Sequence, residues 1–160
     1  MLRLLALAAL LCSQAAMAAE APALARYRLL HAVPGGPEVD VYLDGEQATA
    51  RLGYGSLLPY RSLRAGLHNF KALPSGGSTF LDDRDAIFEA GRDYTIALVQ
   101  SGGAPIWLRI LDRRPEQPGG HVRAVHLAAG APNLDFLAAG QKLATLAYGQ
   151  VSRPTPVTAS

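Results

Sequence analysis

RLLHAVPGGPEVDVYLDG, running from Arg28 to Gly45, decides the fold. An apolar run is broken at Pro34-Gly35-Gly36-Pro37, where two prolines fix the backbone and remove hydrogen-bond donors. Val39, Val41 and Leu43 then alternate with Asp40, Tyr42 and Asp44, the period-two pattern of a half-buried strand. Asp44-Gly45 is a hairpin-turn dipeptide. The unit returns as RAVHLAAGAPNLDFLAAG, Arg123 to Gly140. Arg28, His31, Pro37, Asp40 and Gly45 correspond to Arg123, His126, Pro132, Asp135 and Gly140. After a one-residue deletion, Leu52, Tyr54 and Gly55 correspond to Leu146, Tyr148 and Gly149. A copy that short does not bury both of its own faces. It is expected to contribute strands and to pack on the first unit.

Working outward, Tyr27 to Val33 reads as the first strand and Ala48 to Leu52 as the return strand after the Asp-Gly turn. Leu57 to Leu63 and Leu67 to Leu73 read as a hairpin about Arg64-Ala65-Gly66. Thr79 to Phe88, with acidic Asp82-Asp83-Arg84-Asp85 inside it, reads as a less regular edge segment. Tyr94 to Gln100 holds the run Ile96-Ala97-Leu98-Val99, expected of a central strand buried on both faces. Ser101-Gly102-Gly103 leads to a strand from Ile106 to Leu111. Leu127 to Ala131 is rich in helix formers but falls where the first copy has its Pro/Gly break, so it is expected to be loop. Past the N-terminal apolar segment no stretch keeps helical apolar spacing over three turns. Short strands with Gly/Pro punctuation predict an all-β, antiparallel, Ig-like sandwich.

The organisation expected is a signal peptide over 1–18, a sandwich unit over 24–114, a connector over 115–120 and a partial second repeat over 121–160. Arg3, the apolar run Leu4 to Leu11 and the small-x-small Ala16-Met17-Ala18 form a secretory signal cleaved near Ala18, predicting a periplasmic or secreted product. The apolar run is too short to stay as a transmembrane anchor. Cys12, the one cysteine, lies inside the signal; Leu10 and Leu11 before it are too bulky for a lipoprotein site. The mature chain is therefore expected to lack disulfides and thiolate chemistry.

The 160 residues suit one core, and 49% hydrophobic with 18% charged residues is globular. A net charge of +2, with Arg113-Arg114 as the densest basic point, excludes a strong electrostatic case for nucleic acid or an anionic membrane.

The strings ARYRLLHAVPGGPEVDVYLDG, LGYG, PYRSLRAGLH and FEAGRDYTIALV resemble the bacterial DUF4397 family of exported domains. That resemblance implies an all-β sandwich in the envelope or outside the cell, with tandem copies of the His-to-Tyr core and no established reaction. A looser architectural likeness, through the Leu63-Arg64-Ala65-Gly66 turn, is to AlgF-type accessory proteins of exopolysaccharide O-acetylation.

For chemistry the candidates are His31 with Asp40 and His126 with Asp135; Tyr42 joins them as a binding candidate. Each His ends a strand and each Asp opens the next, so an Asp-oriented imidazole is conceivable. No nucleophile accompanies it, and a structural corner recurs with each repeat whereas an active site needs one copy. The alternative places His on the backbone of the Pro/Gly loop and Asp on the same turn. His121 and His126, five apart, fall on opposite faces of a strand, and the Asp82, Asp83, Asp85 cluster lacks a calcium-loop signature, so no cofactor or metal is expected. Trp107, Tyr42, Tyr54, Tyr60 and Tyr148 are candidate sugar- or protein-contacting aromatics. The function expected is a non-enzymatic exported envelope module binding an envelope protein or a polysaccharide. The alternatives are the O-acetylation accessory role and a hydrolase using His31 and Asp40.

Overall fold

The computed structural model describes residues 22–138 and 140–157, and the expected signal peptide lies outside them. Among the described residues there are strands, turns and loops and no helix. No helix there is long and apolar enough to cross a membrane.

The first unit is built of eight strands: β1 (Leu24–Ala32), β2 (Val39–Leu43), β3 (Glu46–Leu52), β4 (Arg61–Arg64), β5 (Gly66–Pro74), β6 (Asp82–Phe88), β7 (Asp93–Ser101) and β8 (Ala104–Leu111). They form two four-stranded sheets, ordered β4-β1-β7-β8 and β3-β2-β5-β6. The expected all-β sandwich is what forms. One pair departs from the antiparallel pattern: β1 and β7 run parallel, from Arg26 opposite Asp93 to Ala32 opposite Val99. The chain between them, β2 to β6, runs mostly through the second sheet, and this is the long connection a parallel pair requires.

The β2–β3 hairpin closes on Asp44 and Gly45 with φ of 52° and 86°. Positive φ at both positions gives a turn whose twist matches the strands, so the dipeptide read from sequence has its physical reason. The expected hairpin about Ala65 does not form. β4 pairs with β1 and β5 pairs with β2 and β6, so Arg64 to Gly66 is the crossing from one sheet to the other. Only Ala65 separates the two strands, and Gly66 takes a φ of 139°, so the chain bends across the core without folding back on itself. The segment over Asp82–Phe88 is an edge strand as expected. It is also regular, in unbroken register with β5 from Gly66 opposite Phe88 to Ala72 opposite Asp82.

Between the sheets lies the main core. On β1, Ala25, Tyr27, Leu29 and His31 point in and are buried, while Arg26, Arg28 and Leu30 take the outer face. Phe70 sits at the centre, its ring centroid 5.7 Å from Tyr27, 5.7 Å from Phe88 and 6.3 Å from Trp107. Tyr27 and Trp107 meet its ring edge-to-face, a geometry that adds to simple area burial, and Phe88 is tilted against it. Strand β7 is buried from Asp93 to Val99, as its apolar run predicts. Tyr94, Ile96 and Leu98 belong to the main core, whereas Ala97 and Val99 join a second cluster on the opposite face.

That second cluster explains the partial repeat. It contributes β9 (His121–Val122), β10 (Leu134–Ala138), β11 (Gln141–Leu146) and β12 (Thr155–Pro156), paired as two ribbons, β10-β11 and β12-β9. Neither four-stranded sheet gains a strand. Instead Val125, Leu127, Tyr148 and Val151 lie over Leu30, Ala97, Val99 and Ile110, closing the apolar half of the outer face. Tyr148 also donates its hydroxyl to the Gln100 carbonyl at 2.6 Å. Leu127 to Ala131 is loop, as the repeat alignment predicts.

Candidate functional site

Both corner histidines are buried, His31 0% and His126 1% exposed. Nδ1 of His31 accepts the Val33 N–H at 3.3 Å, so its Nε2 carries the proton and donates to the Pro37 carbonyl at 3.0 Å. In the second copy Nδ1 of His126 accepts the Ala128 N–H at 3.2 Å, and Nε2 donates to the Pro132 carbonyl at 3.0 Å. The main chain repeats as closely. The carbonyls of His31 and His126 accept from Gly55 and Gly149 at 2.8 and 2.7 Å, and their N–H groups donate to Ser56 and Gln150 at 3.1 and 3.0 Å. Even the tyrosine against each ring recurs, Tyr54 at 6.4 Å and Tyr148 at 6.3 Å, both at 84°. Each imidazole thus fastens the Pro/Gly loop to the chain before it, the end of β1 for His31 and the segment after the Val125–Val151 bridge for His126, and keeps no ring nitrogen for a substrate.

The aspartates face elsewhere. Asp40 accepts from the Arg51 N–H at 2.9 Å and the Ser75 hydroxyl at 2.7 Å. It pins Arg51, whose φ of 52° marks the irregular register of β3, and joins that strand to the end of β5. These bonds, the Arg51 amide first, hold its carboxyl below the usual range. Asp135 accepts from the Thr145 hydroxyl at 2.5 Å and the Lys142 ammonium at 2.9 Å, which lower it likewise, the threonine more. Tyr42 is half-buried on β2, opposite Gln47 and Lys71. His and Asp of each copy are therefore not brought together, and each Asp braces a hairpin and not the histidine's turn. Among the other candidates, Trp107 is core and Tyr54 is exposed; a further histidine, His68, is bound by Asp44 at 2.6 Å and the Arg64 carbonyl at 2.8 Å.

What the structure does assemble is a line of arginines and carboxylates across the polar half of the outer face. Asp93, its side chain 6% exposed, receives two guanidiniums, each through two bonds: Arg26 at 2.8 and 2.6 Å and Arg114 at 2.9 and 3.0 Å. These pairs, Arg26 foremost, hold its carboxyl far below the usual carboxylate range. Arg26 and Arg28 lie 5.1 and 4.7 Å from the Tyr60 ring centroid. Arg28 donates to Thr95 at 2.9 Å, Thr95 donates to Asp112 at 2.6 Å, and Tyr60 donates to the same Asp112 oxygen at 2.7 Å. Burial and the bond to Asp112 push the Tyr60 phenol up to about 12. Asp112 also stands 3.6 Å from Arg28 and 3.4 Å from Arg123. The two arginines that correspond in the repeat therefore meet on one carboxylate.

Above this line the second repeat leaves a cleft of about 400 Å³, lined by Arg28, Tyr60, Asp112, Arg113, Arg123 and Val151 among others. Three guanidiniums face one carboxylate there. Arg113 is exposed and makes no ion pair among the described residues, and the terminal nitrogens of Arg28 have no acceptor among them. Arg113, part of the densest basic point in the sequence, is the cleft's one arginine without an ion pair among the described residues. For the other two arginines of the cleft, the sequence signal was the Arg28–Arg123 correspondence in the repeat.

Fold and cleft define a two-sheet β-sandwich whose outer face is half covered by a fragment of its own repeat, with a cationic groove at the seam. The chain belongs to the DUF4397 family: that family's model, described as a domain of unknown function, matches residues 25–137. No curated protein matches the chain.

Proposed function

We propose that this protein is a non-enzymatic binding module of the bacterial cell envelope, periplasmic or secreted, whose partner is a polysaccharide or another envelope protein. Support comes from the duplicated histidine corner. A ring with one nitrogen accepting from a backbone amide and the other donating to a backbone carbonyl neither takes a proton from a nucleophile nor ligates an ion without dismantling the corner. The same bonds in the second copy make the arrangement architectural. The secretory pattern read in residues 1–18 supports the periplasmic or secreted location.

Immobilised protein is expected to retain a polysaccharide or a protein from a bacterial envelope extract, and retention of neither overturns the reading. The hydrolase reading makes the opposite forecast for His31→Asn: loss of an activity with an unchanged melting temperature. A binding module loses stability instead, because the Val33 N–H and Pro37 carbonyl are left without partners.

A further inference from the structure

We propose that the cleft between the sandwich and its partial repeat is an oxyanion site, taking a carboxylate or phosphate group of a ligand on Arg28, Arg113 and Arg123. The inference rests on the binding-module reading and adds the ligand's chemistry to it.

The cleft exists only because the second copy packs on the first, and each copy brings to it the arginine at the same repeat position, Arg28 or Arg123. Oδ2 of Asp112 accepts from Tyr60 and Thr95 at 2.7 and 2.6 Å, so Arg28 stands off at 3.6 Å; Arg123 reaches Oδ1 only at 3.4 Å, its Nε and one terminal nitrogen donating to the Ser152 and Leu111 carbonyls. A carboxylate shared in this way leaves the positive charge under-compensated. Arg28 lies over the Tyr60 ring, its Nε committed to Thr95, and its terminal nitrogens have no acceptor among the described residues. That is a pre-positioned fork, and a guanidinium fork matches the paired oxygens of a carboxylate or phosphate. Arg113 at the rim, without an ion pair, supplies the second charge. It also lines a neighbouring groove with Arg114, His121 and Arg153, so the positive surface runs on beyond the cleft. Net charge over the whole chain is only +2, so this concentration is local.

The test is calorimetric titration of the full mature chain with three probes: trigalacturonate, inorganic phosphate and uncharged maltotriose. At least one anion is expected to bind, more weakly as salt rises, and maltotriose is not. Arg113→Gln, which breaks no contact of the fold, is expected to lower anion affinity by roughly tenfold, the effect of one charge-assisted bond. Arg51→Gln, on the other sheet, is the control and is expected to leave affinity unchanged. Binding of trigalacturonate alone identifies a sugar-acid source, and binding of phosphate alone a phosphate source. Failure of both anions, equal binding of maltotriose, or an Arg113→Gln affinity equal to wild type overturns the site. Capture of envelope material that Arg113→Gln leaves intact overturns the site while keeping the binding module. Anion binding without any envelope capture does the reverse.

Discussion

Replacing Asp93 by Asn removes a charge held by two guanidiniums through four bonds of 2.6–3.0 Å, while conserving shape. Two limits bracket the cost. Exposed ion pairs contribute about 0.2–1 kcal/mol each, and breaking a fully buried pair costs about 3–5 kcal/mol. Here the carboxylate is 6% exposed, but Arg26 and Arg114 are 46% and 63% exposed, so water screens the cationic side. We expect about 2 kcal/mol at neutral pH, which for a domain of this size lowers the melting temperature by roughly 5–10 °C. The pH dependence follows from the sign of the shift. The Asp93 carboxyl lies lower in the folded than in the unfolded chain, so its contribution is complete above the unfolded value near 4 and fades as pH falls below it. Circular-dichroism melts of both proteins should therefore differ at pH 7 and converge as the pH drops below about 4. A wild-type-like melting temperature for Asp93→Asn at pH 7, or a gap that widens in acid, would refute this reasoning.

Other consequences follow from the same contacts. Phe70→Ala empties the centre of the aromatic core and should cost about 3–5 kcal/mol in denaturant unfolding. Asp40→Ala strips acceptors from the Arg51 amide and Ser75 hydroxyl at the surface; a small drop in melting temperature is expected, shrinking in acid below about pH 4 as the wild-type carboxylate protonates. Val151→Asp places a charge in the cluster that seats the second repeat. Limited proteolysis should then cut the 115–120 connector faster while the first unit stays resistant, and equal cutting rates would count against that seating.

How much of this was legible in the sequence depends on the range of the interaction. The alternation of β1 and β2, the Asp44-Gly45 turn and the twice-buried β7 were readable, because side-chain period and turn chemistry are local. The Arg64–Gly66 crossing was not, since alternation tells which side chains turn inward but not which sheet a strand joins. The two-sided burial of β7 has a cause that no local pattern shows: Leu127, Tyr148 and Val151, much further along the chain, cover its outer face. The site divides in the same way. Duplication marked His31 and His126 as architectural, and their bonds to the Pro/Gly loop are within six residues. Asp40 and Asp135 were assigned to the wrong partners because theirs lie across hairpins, at Arg51, Ser75 and Thr145. The Arg26–Asp93 and Arg28–Thr95 contacts span 67 residues and follow only from the parallel register of β1 with β7.

A joint between strands, and not a reactive centre, is what the duplicated histidine corner makes of its imidazoles, and ring-nitrogen NMR reads that directly. A long-range proton–nitrogen spectrum at neutral pH should place both His31 and His126 in the Nε2–H form, each with an unprotonated Nδ1 held by the amide two residues on. Either ring found as the Nδ1–H form, or exchanging between the two forms as a free imidazole does, would contradict it.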